Sequence, residues 1–153
     1  MKIAIASDHG GFHLKQNLAE RLRAAGHEVA DLGGTAERCD YPAPAAAVGE
    51  AVASGAAERG VLVCGSGTGV SIAANKVDGV RAAVIGETTS ARLFREHNDG
   101  NVVCLGERLI GPEMAWEIVE TFLKTEHLGG QHAVRVGQIR DLETQRKDRH
   151  VRL

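Results

Sequence analysis

Aromatic side chains are scarce: one Trp, one Tyr and three Phe, 3% of 153 residues. A chain so poor in flat rings offers no stacking platform for single-stranded nucleic acid. Its core has to come from Ala, Val, Leu and Ile, which suits layered α/β packing with small residues at the contacts. An excess of charge is missing too. Eighteen Lys and Arg stand against twenty Asp and Glu, a formal net charge of −2, which gives no reason to expect a polyanionic partner. The one dense basic run, "RKDRHVR", reads as a solvated helix face. No apolar run is long enough to span a bilayer, and that in "MKIAIASD" is too short for a signal peptide, so a soluble, cytoplasmic protein without membrane partners is expected. The three cysteines, Cys39, Cys64 and Cys104, contain no CxxC pair, which removes the common zinc and dithiol patterns and leaves free thiols.

What the chain does have is alternation. Short apolar runs, "KIAIAS", "HEVADLG", "GVLVCG", "RAAVIG" and "NVVCLG", read as five strands. Helical patterns fall between and after them. Leu14, Leu18 and Leu22 recur every fourth residue up to Gly26, and Pro42 and Pro44 open an Ala-rich helix. Further helices are read through "VSIAANK" and around "TSARLFREH". After "GP", Ala115, Ile118, Val119, Phe122 and Leu123 form a stripe, and a last helix over about 133–148 carries Val136, Ile139 and Leu142 on one side. Apolar strands joined by helices rather than hairpins predict an α/β fold, one domain over 1–153, with a parallel sheet covered on both faces. Right-handed crossovers then bring "DHGG", "CGSGTG" and the loop after "RAAVIG" to one rim, where such sheets bind ligands.

The rim carries the chemistry. Gly65, Gly67 and Gly69 allow a tight loop with inward amides before a helix start, suited to an anion. It is not a P-loop, because Lys76 lies at the far end of the helix. The dinucleotide fingerprint is incomplete: its third glycine falls at Val70, although Glu87 mimics the ribose-binding acid. A nucleotide-binding module is therefore the second reading. Cys64, between a strand end and a helix start, is either a reactive thiol or a small buried hydrophobe. Cys39 and Cys104 take the second description. Asp8 and His9 form either an acid/base pair or a helix cap beside an exposed His. His97 and Asn98, just before the fifth strand, belong at the opposite edge of the sheet and would reach a site only from a second subunit. Arg108 and Arg135 are candidate phosphate clamps.

"SDHGGFHLK", "DYP", "CGSGTGVSIAANK", "HND" and "GERLIG" stand in the order and near the spacing of the ribose-5-phosphate isomerase B family, which includes the galactose-6-phosphate and allose-6-phosphate isomerases. The chain resembles that family over nearly its whole length. The resemblance implies a Rossmann-like three-layer αβα sandwich and an aldose-ketose isomerase of carbohydrate metabolism, in the pentose phosphate pathway, without metal or cofactor. It implies a homodimer with shared sites, or a tetramer of such dimers, with the C-terminal helix at the interface. By position, Cys64 is the base that moves a proton between C1 and C2, and Gly65, Ser66, Gly67, Thr68 and Gly69 form the anion hole for an enediolate. His97 opens the sugar ring, with Asp8 assisting. His9, Tyr41, Asn98, Arg108, His132 and Arg135 match substrate positions. Family members acting on ribose 5-phosphate commonly carry arginine in "GGRH", where this chain reads "GGQH", with Gln131 in its place. That keeps allose 6-phosphate, galactose 6-phosphate and a tetrose 4-phosphate as alternative substrates. Cys64, Asp8 and His97 on one chain argue for a self-sufficient homo-oligomer over one half of a hetero-oligomer.

Overall fold

Large and small apolar residues alternate at the start of the chain, and this stretch forms strand β1 (Lys2–Ser7). The computed structural model describes residues 1–151, the side chains of 147–151 excepted. A single 3-10 turn, His9–Gly11, leads into α1 (Phe12–Ala24). There follow β2 (Glu28–Asp31), α2 (Pro42–Ala53), β3 (Arg59–Cys64), α3 (Thr68–Ala74), β4 (Ala82–Val84), α4 (Thr88–Asn98), β5 (Val102–Gly106), α5 (Pro112–Lys124) and α6 (Gly130–Val151). The five strands pair in parallel in the order β2-β1-β3-β5-β4. Parallel neighbours need crossover helices, and these cover both faces to give the three-layer αβα sandwich.

Alternation along the strands sorts the core. Ile3, Ile5, Val61, Val63, Val103 and Leu105 pack against Leu14, Leu18 and Leu22 of α1, Phe94 of α4, and Ile118 and Phe122 of α5. On the other face Ala4, Ala6, Leu62, Cys64, Val102 and Cys104 meet Ala45 and Val48 of α2 and Val70 and Ala74 of α3. That second face is built from small residues, and α2 lies close to it: a Cβ at Gly60 would stand 2.6 Å from Val48.

The ends of elements differ from expectation. The edge strands are shorter than their apolar runs. At Arg81 the N–H donates to Asn101 Oδ1 at 2.8 Å. Gly129, just before α6, and Gly130, its first residue, take positive φ, and the Gly129 carbonyl accepts from the amides of His132 and Ala133 at 3.1 and 3.3 Å, so the helix starts three residues before the expected 133. Of its apolar stripe Val136 is buried, while Ile139 and Leu142 stand 42% and 58% exposed. Of the basic run "RKDRHVR", Arg146 pairs with Asp78, and the later side chains lie outside the described residues. Among the described residues no helix is long and apolar enough to cross a membrane.

Candidate active site

From β1 the chain moves out to β2 and then returns across β1 to β3, which makes the β1–β3 boundary the switch point where a crevice opens beyond the strand ends. Asp8 follows β1 and Cys64 ends β3, and the Asp8 amide donates to the Val63 carbonyl at 3.3 Å. Between them lies a cleft of about 330 Å³, bordered also by His9, Tyr41, Ser66 and Arg108. The 3-10 turn lies directly on β3, since a Cβ at Gly11 would come 2.5 Å from the Val63 carbonyl.

The Asp8 side chain makes no capping hydrogen bond; it is 9% exposed, and its buried Oδ1 has no partner among the described residues. An orphaned carboxylate oxygen beside a cleft suits the hydroxyl of a ligand. His9 is exposed, with Nδ1 3.0 Å from the Cys39 carbonyl oxygen and 3.4 Å from the Cys39 amide, so either tautomer is held. The same residue borders the cleft. Cys39 thus acts through its backbone, while its thiol donates to the Thr35 carbonyl at 4.0 Å.

Cys64 is 5% exposed, and its Sγ accepts from the Gly67 amide at 3.1 Å. That amide fixes the thiol and turns a positive dipole end toward sulfur. Gly67 has φ 78°, and a Cβ there would meet Leu105 and Val84 at 3.1 Å, so the loop rests across the ends of β5 and β4. The Tyr41 ring covers Gly69, 2.9 Å from where a Cβ would stand, and Ser66 Oγ accepts from the Thr68 amide at 3.3 Å. The Arg108 guanidinium lies beside Gly65. Cys104 shares the sheet face of Cys64 but is fully buried; burial first, then the nearby Cys64, push its thiol up.

Two supports are absent from the sequence reading. Glu107 donates its amide to the Cys64 carbonyl at 2.9 Å and accepts the Leu14 amide on its carboxylate at 2.9 Å, tying α1 to the end of β3. Lys15, 2% exposed, donates to both Asp31 carboxylate oxygens at 2.8 and 3.0 Å and to the carbonyls of Gly33 and Gly34. Lys15 stands inside "SDHGGFHLK", yet a buried lysine reads like any helix lysine until its carboxylate partner is seen. Glu87, by contrast, caps α4: its carboxylate accepts from the amides of Thr89 and Ser90 at 2.6 Å and from the Ser90 hydroxyl, and those Ser90 bonds hold it below the usual carboxylate range. A capping role accounts for this residue without a ribose.

The remaining predicted residues lie elsewhere. His97 and Asn98 end α4 at the opposite edge of the sheet, separated from the cleft by the five residues of β5, about 13 Å of strand. The His97 ring stacks on His132, with centroids 4.3 Å apart and planes 5° from parallel. Burial, then His97, Arg135 and His127, lower the proton affinity of His132. Gln131 and Arg135 are exposed on the first turns of α6. Within one chain, then, the residues form two groups: the cleft, and a cluster of His97, Asn98, Gln131, His132 and Arg135. Among the described residues no group of three or more His, Cys, Asp or Glu could hold a metal ion.

The family model for ribose/galactose isomerases matches residues 3–139. Ribose-5-phosphate isomerase B of Escherichia coli is 47% identical over 95% of this chain and 98% of its own. A D-erythrulose-4-phosphate isomerase of Pectobacterium atrosepticum is 40% identical over 96% and 98%. The solved structure of Clostridium thermocellum ribose-5-phosphate isomerase B superposes with a TM-score of 0.94 at 51% identity, covering 95% of this chain and 99% of that one. Fold and relatives together define a sugar-phosphate isomerase. The chain belongs to the ribose/galactose isomerase family, in its ribose-5-phosphate isomerase B group.

Proposed function

We propose that this protein interconverts ribose 5-phosphate and ribulose 5-phosphate through an enediolate, in sites that two copies of the chain complete together. The observation that carries this reading is the division of the site: a thiol, a carboxylate whose buried Oδ1 has no partner among the described residues and a glycine loop share one cleft, while His97 and its neighbours stand at the far edge of the same sheet. A second copy is the natural source of the missing half.

In the aldose-to-ketose direction Cys64 takes the proton from C2 and returns it to C1, while the carbonyl oxygen at C1 gains a proton and the hydroxyl at C2 loses one. Amides of the loop Gly65 to Gly69 stabilise the oxyanion between these steps, the contribution that preorganised donors make best in a site closed to water. His97 from the second copy, with Asp8, exchanges protons with the ring oxygen and anomeric hydroxyl to open the sugar. Arg108, Arg135 and His132 hold the phosphate. Gln131 supplies no cation there, a loss of about 1.5 to 3 kcal/mol relative to a charge-assisted bond.

A second reading concerns the sugar alone. Gln131, together with a relative named for D-erythrulose 4-phosphate, favours a tetrose 4-phosphate as the competing substrate. Steady-state assays over ribose 5-phosphate, erythrose 4-phosphate, allose 6-phosphate and galactose 6-phosphate separate the two. The expected result is the highest kcat/KM with ribose 5-phosphate. Turnover of another sugar with none of ribose 5-phosphate overturns the assigned substrate and leaves the reaction class standing.

A further inference from the structure

Beyond His97 and Asn98 the backbone turns at Asp99, which is the one non-glycine residue with positive φ among the described residues (φ 45°, ψ 43°). Aspartate tolerates this left-handed conformation, but glycine takes it without steric cost. The next residue is a glycine for a different reason: at Gly100 a Cβ would stand 2.1 Å from the Phe94 ring. Ending the helix does not by itself explain an aspartate at position 99.

Its contacts do. Asp99 Oδ1 accepts from Arg95 Nη1 at 2.8 Å, and Oδ2 accepts from Arg81 Nη2 at 2.9 Å. Arg81 Nε donates to the carbonyls of Asp99 at 2.8 Å and Asn98 at 3.2 Å, and Arg95 Nη1 donates to that of Gly100 at 2.5 Å. The Asn98 carbonyl at the end of α4 and the two that follow it are therefore fixed by two guanidinium groups that converge on one carboxylate. Arg95 is 2% exposed, so its contacts are shielded from solvent. Arg59 also feels this site: burial and the charge of Arg95 lower its proton affinity, and Asp99 raises it.

We propose that Asp99, clasped between Arg81 and Arg95, is a positioning residue that fixes the last turn of α4 and presents His97 and Asn98 to the cleft of a second copy in one geometry. The inference rests on the role proposed above for His97. It adds that a residue which touches no substrate sets that role.

The test uses the full chain and three variants. Asp99→Gly keeps the left-handed backbone and removes the carboxylate. Asp99→Asn keeps the shape and removes the charge. Arg81→Met opens the clasp and leaves the partly buried Arg95–Asp99 pair in place. We expect kcat for ribose 5-phosphate to fall roughly ten- to a hundredfold in Asp99→Gly, with KM little changed and smaller losses in the other two, as a displaced acid/base group would produce. In two-bond proton–nitrogen spectra of protein labelled with 15N-histidine, the His97 signals should move in all three variants while those of His9 stay put. Wild-type kcat together with unchanged His97 signals in Asp99→Gly would show that the aspartate only terminates a helix. If that variant does not fold, Arg81→Met carries both readouts with the same outcomes. If the wild-type protein turns over no sugar phosphate, the function assigned to His97 fails, yet the histidine spectra still decide whether the clasp sets its ring: unmoved signals in Arg81→Met overturn the proposal.

Discussion

Cys64 and Cys104 stand on neighbouring strands, two residues apart in register and on one face of the sheet, yet only Cys64 meets a loop amide and borders the cleft. Replacing Cys64 by Ala should lower kcat by about 10² to 10⁴, the usual worth of a general base, with little change in the urea midpoint. Near-normal turnover in that variant would remove the thiol from the mechanism. Cys104 should reveal itself through stability instead. Its thiol is raised by burial, so the unfolded chain releases that proton first as pH rises, and the native state holds more protons than the unfolded one. Stability is then complete below the ordinary thiol range and declines above about pH 8.5, by up to about 1.4 kcal/mol per pH unit. Urea unfolding between neutral and alkaline pH should show this decline, and Cys104→Ala should lessen it; an identical slope in both proteins would contradict the assignment. Cys64 is legible in the sequence because glycines follow it. The part played by Cys39 is not, because it lies in a carbonyl and an amide that hold His9, and no side-chain pattern reports that.

The loop from Cys64 to Gly69 owes its shape to Gly67, whose positive φ disfavours any side chain and whose contact with β4 and β5 leaves little room for one. Gly67→Ala should cost about 1 to 2 kcal/mol from backbone strain alone and reduce kcat, since the amide that meets Cys64 Sγ moves with it. Denaturation and steady-state kinetics on one preparation check both effects, and an unchanged kcat would detach the loop geometry from catalysis. Strands β1, β3 and β5 were readable from their unbroken apolar runs, because strands buried on both faces need little polar alternation. The last helix was readable as a helix, but its stripe was not readable as covered: Val136 is buried and Leu142 is exposed on the same element. Periodicity shows which residues share a face, and it is silent on what meets that face. Glu87 is ambiguous in the same way, since an acid after a strand fits a ribose or a helix cap equally until the amides of Thr89 and Ser90 are placed.

In the whole molecule the two halves of the proposed site lie at opposite edges of one sheet, and this makes the assembly testable without a structure of the complex. Cys64→Ala and His97→Asn should each be nearly inactive. Unfolded together in equal amounts and refolded, they should recover about a quarter of wild-type activity, because half the dimers are mixed and each of those holds one intact site in two. No recovery would mean that each site is built within a single chain. The sequence indicated this division, since "HND" precedes a strand whereas "CGSGTG" follows one, but it could not indicate that His132 would stack on His97. The flanks of the sheet limit how such a pair can form. β2 and β4 have four and three residues, and β2 begins with an exposed Glu28 and ends at Asp31, already bound to Lys15. Borders so short, one of them so charged, make poor templates for another backbone. In the proposed assembly, two copies would thereby be steered away from joining edge to edge into a continuous ribbon, the arrangement that opens the way to fibres, and toward a closed pair that meets through helices and loops.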